Sequence, residues 1–315
     1  MATLNDVANL ANVSKMTVSR VINHPEKVTD ELKDLVYQAM QEVDYHPNVA
    51  AKALVNNRTQ IIKFLILEDL DATEPYYMKL LMGIAMYLSK HQYSLQLVTK
   101  DNMDISDCDA YIITGMRRKD VTWIKRLSKP VVIFGENHDG LDYIDVDNQA
   151  GTQKATELAL QAGYEHIVFI GINVEESFEY AREAGYLEAM QEQQQDTEIY
   201  RMDNHSQTAG KFLQENWEKF KPNTCFICAS DRLALGVERF LQKEKLNLPQ
   251  DYGVVGFDGV FINQIAVPNL TTVEQPEVQM GEAIAKMTIN KVVQNGMGQG
   301  NKKFDPTLII GGTTK

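Results

Sequence analysis

Thr3-Leu4-Asn5-Asp6-Val7-Ala8-Asn9-Leu10-Ala11-Asn12-Val13-Ser14-Lys15-Met16-Thr17-Val18-Ser19-Arg20-Val21-Ile22-Asn23 reads as two short amphipathic helices joined by a tight turn. Thr3 stands three residues before Asp6, a capping-box spacing, and Val7 and Leu10 then share one helical face. Ala11, Asn12 and Val13 carry the turn: Asn12 tolerates a left-handed backbone and Ala11 permits close approach. Ser14 is placed to cap the second helix, whose core face is Val18, Val21 and Ile22. The spacing therefore predicts a helix-turn-helix, with an ordinary helical hairpin as the bland alternative.

In such a motif the second helix enters the major groove of DNA. The side chains left outside its core face suit that task. Arg20 matches the two acceptors of guanine, Met16 suits a thymine methyl, and Lys15 can reach a base or a phosphate. Thr3, Ser14, Thr17 and Ser19 offer hydroxyls to phosphate oxygens, which fix orientation rather than sequence. Next, Thr29 is expected to cap a third helical run in which Leu32, Leu35, Val36, Ala39, Met40 and Val43 keep the period. Tyr45-His46-Pro47 ends it. The following Asn48 to Val55 is too short to be a stable helix alone.

Beyond residue 60, short apolar runs alternate with longer helical patterns. Strands are expected at Ile61 to Leu67, Leu95 to Val98, Tyr111 to Thr114, Val131 to Phe134, Ile167 to Ile170, Cys225 to Ala229 and Val254 to Phe257. Helices are expected at Tyr76 to Lys90, Gln149 to Ala162, Glu179 to Gln193, Thr208 to Lys219 and Asp231 to Lys243. That rhythm predicts doubly wound α/β lobes with parallel sheets, restarting near residue 150. The length of 315 residues fits two such lobes behind a small all-α head.

Of the net charge of −12, residues 1–60 carry only −1, from six Lys or Arg against seven Asp or Glu. A near-neutral head on a strongly acidic body predicts modest nonspecific DNA affinity and a dependence on pairing two heads. Three cysteines cannot make a disulfide framework, and Cys225 and Cys228 fall in a strand with no further ligands near by, so no metal is expected. Gly296 to Gly300 reads as a loop, not a phosphate cradle. With no Gly-x-x-x-x-Gly-Lys, Gly-x-Ser-x-Gly or His-Glu-x-x-His, nothing points to catalysis or a cofactor. No apolar run is long enough for a membrane span and the N-terminus does not read as a leader, so a cytoplasmic location is expected.

Several further motifs stand in order along the chain. They are Tyr45-His46-Pro47-Asn48, Val146-Asp147-Asn148, Ala181-Arg182-Glu183-Ala184-Gly185, Ala229-Ser230-Asp231, Val254-Val255-Gly256-Phe257-Asp258 and Leu270-Thr271-Thr272-Val273-Glu274-Gln275-Pro276. Together with Thr3 to Asn23 they resemble the LacI/GalR family of bacterial transcription regulators over nearly the whole chain. The resemblance implies a helix-turn-helix domain at 1–47, a hinge helix and linker at 48–59, and a periplasmic-binding-protein-like core at 60–315. In that core the C-terminal segment returns to the first lobe. It also implies a homodimer on a palindromic double-stranded operator, and a small-molecule effector, a sugar or related metabolite, between the lobes. At the hinge, Leu54 would wedge into the minor groove with Asn48 and Ala51 beside it.

For the effector, Arg182, Ser230, Asp231 and Asp258 all fall at or beyond carboxyl ends of expected strands, where doubly wound folds bind ligands. An Arg with carboxylates suits the hydroxyls of a sugar. Each could instead be a lobe-stabilising ion pair or, for Asp231, a helix cap. Tyr76 and Tyr77 fall where the family carries an aromatic pair able to stack on a sugar, and His205 lies near another such position. The chain departs from the family at Thr99 to Ala110, too short for the usual helix, and at Gly259, where relatives commonly hold an acid. The helical stretches Tyr76 to Lys90 and Glu277 to Val293 are candidate dimer elements. A transport-type solute-binding protein is the competing class.

Overall fold

In the computed structural model, residues 2–23, 25–45, 58–68, 76–260 and 266–315 are described. Two compact units emerge, Met1–Thr59 and Gln60–Lys315. The hinge residues Asn48, Ala51 and Leu54 lie outside the described residues.

The head holds α1 (Leu4–Leu10), α2 (Lys15–Asn23) and α3 (Asp30–Glu42). The N–H and hydroxyl of Thr3 both donate to the Asp6 carboxylate at 2.8 Å, which fixes the start of α1. Asn12 takes the left-handed turn at φ +50. Ser14 caps α2 by accepting from the Thr17 N–H at 3.0 Å. The small core comprises Val7, Ala8, Ala11, Val18, Val21, Val36 and Ala39. Leu10 and Leu35, expected in it, are 44% and 45% exposed. The buried stripes run through alanines that bring the helices close, and this turns both leucines outward. Thr29 sits at the cap position of α3 without capping it, since its side chain bonds to Glu31 instead.

The body has two six-stranded sheets. The first contains β1 (Ile61–Ile66), β2 (Ser94–Thr99), β3 (Ala110–Thr114), β4 (Val131–Phe134), β5 (Tyr143–Val146) and β11 (Asn301–Phe304), in the order β11-β5-β4-β3-β1-β2 and parallel throughout. The second contains β6 (His166–Ile172), β7 (Glu198–Met202), β8 (Thr224–Cys228), β9 (Tyr252–Asp258), β10 (Thr271–Glu274) and β12 (Thr307–Ile309), ordered β12-β10-β9-β8-β6-β7, with only β12 antiparallel. Runs such as Ile-Ile-Lys-Phe-Leu-Ile in β1 are buried on both faces, as parallel strands under helices must be. The covering helices are α4 (Tyr76–Lys90), α5 (Val121–Ile124) and α10 (Glu277–Val293) on the first lobe, and α6 (Asn148–Gln161), α7 (Ser177–Glu192), α8 (Ser206–Asn216) and α9 (Asp231–Lys243) on the second.

The chain passes between lobes from β5 to α6, from β10 to α10 and from β11 to β12. The C-terminal return is thus to the first lobe for α10 and β11 only. The chain ends on the second lobe, where the Thr313 hydroxyl donates to the Val254 carbonyl at 2.7 Å. Cys225 and Cys228 lie inside β8, where burial pushes both thiols well up.

The short connection from β2 to β3 makes one turn of 3₁₀ helix at Lys100–Asn102 and is otherwise irregular. It is tied to the sheet by two side chains. Lys63, 1% exposed in β1, donates to the Asp104 carboxylate at 2.9 Å and its carbonyl at 3.0 Å. The Tyr111 hydroxyl donates to the Ile105 carbonyl. Hydrogen bonds from Ser106 and the Lys63 ammonium hold the Asp104 carboxyl well below the usual range. Leu97, Met103 and Ile105 remain 50%, 43% and 46% exposed where a helix would cover them. Lys63→Met should leave the melting temperature nearly unchanged, because an apolar side chain replaces a buried charge, yet should make residues 100–109 cleavable sooner in limited proteolysis. Unchanged cleavage would mean that the lysine does not anchor the connection.

Candidate effector cleft and DNA-facing helix

On α2 the core face is Val18 and Val21, both fully buried. Lys15, Met16 and Arg20 are exposed, Met16 to 71%, and Thr17 and Ser19 are half-buried. Ser14 and Thr17 share a hydroxyl contact at 2.8 Å.

Between the lobes lies a cavity of about 470 Å³ at the carboxyl ends of strands from both sheets. Arg182, on α7 and 5% exposed, is its most constrained side chain. Its Nε donates to Asn148 Oδ1 at 2.8 Å, Nη1 to the Ala229 carbonyl, and Nη2 to Asp258 Oδ1 at 3.3 Å. The guanidinium carbon sits 3.8 Å from the Phe257 ring centroid, a cation–π contact that fixes its plane. Gln275 Nε2 also donates to Asp258 Oδ1, at 2.9 Å, and the Tyr76 hydroxyl donates to Gln275 Oε1 at 3.2 Å. This chain of bonds joins the second lobe to α4 of the first. Burial pushes the Tyr76 hydroxyl well above its ordinary value, so it stays a donor.

Tyr76 and Tyr77 both line the cavity, with ring centroids 5.2 Å apart edge to face. Tyr77 is bound through its hydroxyl to Glu68, with Thr114 Oγ1 at 3.4 Å. Arg117, from the first lobe, reaches across to Glu176 of the second at 2.7 Å and stands 3.8 Å from Glu68. His205 is also on the wall.

The cavity wall does not include Ser230 or Asp231. Ser230 caps α9, accepting from the Leu233 N–H at 3.2 Å, and donates to Asn204 Oδ1 at 2.6 Å. Asp231 is fully buried behind the wall, accepting from the Val260 N–H at 2.9 Å and from the Thr272 hydroxyl. An acid in the first turn of α9 thus turns back into its own lobe. Gly259 has a physical cause: at φ +71, a Cβ there would lie 2.6 Å from Glu274 Cα, so no acidic side chain fits. Sequence reasoning missed Asp145, Arg117, Glu176 and Glu136, and it used Asn148 only as part of a motif. Asp145 belongs to the brief β5, whose four residues give almost no periodic signal, and Glu136 lies in the irregular stretch beyond β4.

A family model described as "Bacterial regulatory proteins, lacI family" matches residues 3–48, and one described as "Periplasmic binding protein-like domain" matches residues 156–314. A Bacillus subtilis (strain 168) protein, described as the uncharacterized HTH-type transcriptional regulator YvdE, is 51% identical over 311 residues, covering 98% of each chain. The chain belongs to the LacI family. Among solved structures, the lac repressor dimer bound to operator and an anti-inducer matches with TM-score 0.74 at 20% identity, covering 99% of each chain. A CelR–cellobiose complex, also a transcriptional regulator, matches with TM-score 0.73 at 23% identity, covering 99% of this chain and 100% of that one. These likenesses share the helical head and two-lobed α/β core. LacI-family membership makes the chain a DNA-binding transcriptional regulator, and nothing in these likenesses supports a transport-type solute-binding protein. No helix among the described residues is long and apolar enough to cross a membrane.

Proposed function

We propose that the chain is a cytoplasmic repressor that binds a palindromic operator as a homodimer, and that a small carbohydrate or related metabolite in the interlobe cleft sets its operator affinity. Its role is binding, not catalysis. The observation that carries this reading is the pairing, in one chain, of a helix-turn-helix with an outward polar face and a cleft walled by aromatic rings and matched charges.

In this reading Arg20, Met16 and Lys15 read bases, while Thr3, Ser14, Thr17 and Ser19 hold phosphates. The Thr3 hydroxyl already donates to Asp6, so its phosphate contact requires that bond to be exchanged. Asn48, Ala51 and Leu54 enter the minor groove at the centre of the site. In the cleft, Tyr76 and Tyr77 give the ligand an aromatic wall, and Arg182 and Asp258 give it polar partners. Ser230 and Asp231 support that wall from behind. Homodimerisation through α4 is supported by Met78, Met82 and Met86, which recur every four residues and are 73%, 51% and 44% exposed.

The test is titration of the full chain against a two-fold operator and a scrambled duplex at several salt concentrations. Operator binding should weaken steeply with salt. Arg20→Ala should lose about 1–3 kcal/mol of operator preference with little change on the scrambled duplex. Equal binding of wild-type chain to both duplexes would remove the operator reading.

A further inference from the structure

Five carboxylates face the cleft, and four of them have a cation beside them. Glu176 and Glu68 share Arg117 at 2.7 and 3.8 Å, Glu136 has Lys303 at 2.8 Å, and Asp258 has Arg182 at 3.3 Å. Asp145 is different. It is 5% exposed at the end of β5, and no ion pair holds it among the described residues. Its Oδ2 accepts from the Glu136 N–H and its Oδ1 from the Val146 N–H, each at 2.7 Å. A carboxylate oxygen can accept more than one hydrogen bond, so both keep spare acceptor capacity on a residue that lines the cleft. Arg182 cannot swing to it without giving up Asn148, Ala229 and Asp258.

We propose that Asp145 fixes the charge class of the effector: it accepts hydroxyl protons from an uncharged polyhydroxylated ligand and turns away phosphorylated or carboxylated ones. The proposal rests on the carbohydrate reading of the cleft. A buried carboxylate with spare lone pairs and no cation in contact gains from a donor in the ligand. It repels an anion strongly, because water is largely excluded there. The surplus of carboxylates over the arginines Arg117, Arg182 and Arg232 acts in the same direction.

The site also acquires a pH dependence. Burial raises the Asp145 carboxyl to about 6, opposed by its two backbone N–H bonds and the Arg182 charge and reinforced by Glu136. The groups around it are Tyr76 from α4, Glu136 beyond β4, Arg182 from α7 and Tyr143 on its own strand. Below pH 6 the carboxyl gains a proton and loses acceptor strength. Sugar affinity should therefore fall about tenfold from pH 7.5 to pH 5. His205, also on the cavity wall, supplies a control.

The experiment is calorimetry and thermal shift on the full chain with ribose, maltose, cellobiose, glucose 6-phosphate and gluconate, at pH 5 and pH 7.5. The expected result is that a neutral sugar binds, that both anions bind about a hundredfold more weakly or not at all, and that the sugar's affinity drops at pH 5. Asp145→Asn should weaken the sugar at least tenfold at pH 7.5 and flatten the pH profile, whereas His205→Asn should keep the profile. An anion that binds more tightly than every neutral sugar overturns the proposal, as does a pH-independent wild-type affinity. If no sugar or anion binds, the carbohydrate reading itself is removed. If a neutral sugar binds wild type and Asp145→Asn alike, only the role of Asp145 is lost.

Discussion

Arg182→Ala is expected to abolish the rise in melting temperature that a bound sugar gives, and to destabilise the ligand-free chain by about 3 kcal/mol or more. Both effects follow from one geometry. The guanidinium satisfies Asn148, the Ala229 carbonyl and Asp258 while lying against Phe257. Its removal takes the guanidinium away from the partly buried Asp258 carboxylate and from the Asn148 and Ala229 oxygens at once. Arg182→Lys should recover little, since a point charge cannot serve three acceptors in different directions. Chemical denaturation measures the stability loss, and thermal shift with the best-binding sugar measures the ligand response. A variant that loses stability but keeps the full ligand shift would make Arg182 a structural residue only.

The second large effect is expected at the crossing of α4 and α10. A Cβ on Gly83 would lie 2.2 Å from the Val278 carbonyl oxygen, and one on Gly281 would lie 2.3 Å from the Leu80 carbonyl oxygen. These are backbone atoms, so no side-chain rotation relieves the overlap. Gly83→Ala should therefore destabilise by about 1–3 kcal/mol, even though alanine favours a helix by about 1 kcal/mol. Gly281→Ala should behave alike. The same helix carries the exposed Met78, Met82 and Met86, so a parallel sedimentation measurement should show weaker self-association when α4 is displaced. A wild-type melting curve for either variant would mean that the two helices have slack.

How much of this was legible in the residues depended on how strongly each stretch repeats. The head was, because Val7, Val18, Val21 and Val36 mark its buried faces and Ser14 and Asn12 its turn. So were β1, β3, β4, β6, β8 and β9, each a largely continuous apolar run, and the edge strand β2, whereas the inner strands β5 and β10, four residues each with polar positions, were not. The edge strands β7 and β11 were not: Glu198, Arg201, Lys302 and Lys303 face water, and an edge needs no two-sided burial. In the cleft, Arg182, Asp258, Tyr76 and Tyr77 stand where their motifs put them. Ser230 and Asp231 show the limit of that reasoning, since position at a strand's carboxyl end does not say which way a side chain turns. Asp145 had no motif, and its importance comes from what surrounds it. The absent helix after β2 was foreseeable from chain length, but its substitute, a lysine threaded out of a sheet, was not.

The passage of the chain back and forth between the lobes also governs how the protein must be made. The first sheet is closed by β11 and roofed by α10, which are contributed by residues 277–304. While the ribosome is still reading the second lobe, the first therefore has a further open strand edge at β5 and a bare apolar face beside α4, over β3, β4 and β5. A nascent chain halted before residue 277 would present that surface to chaperones and proteases, and a gene cut after β5 would keep the second lobe whole but strip the first of α10 and β11.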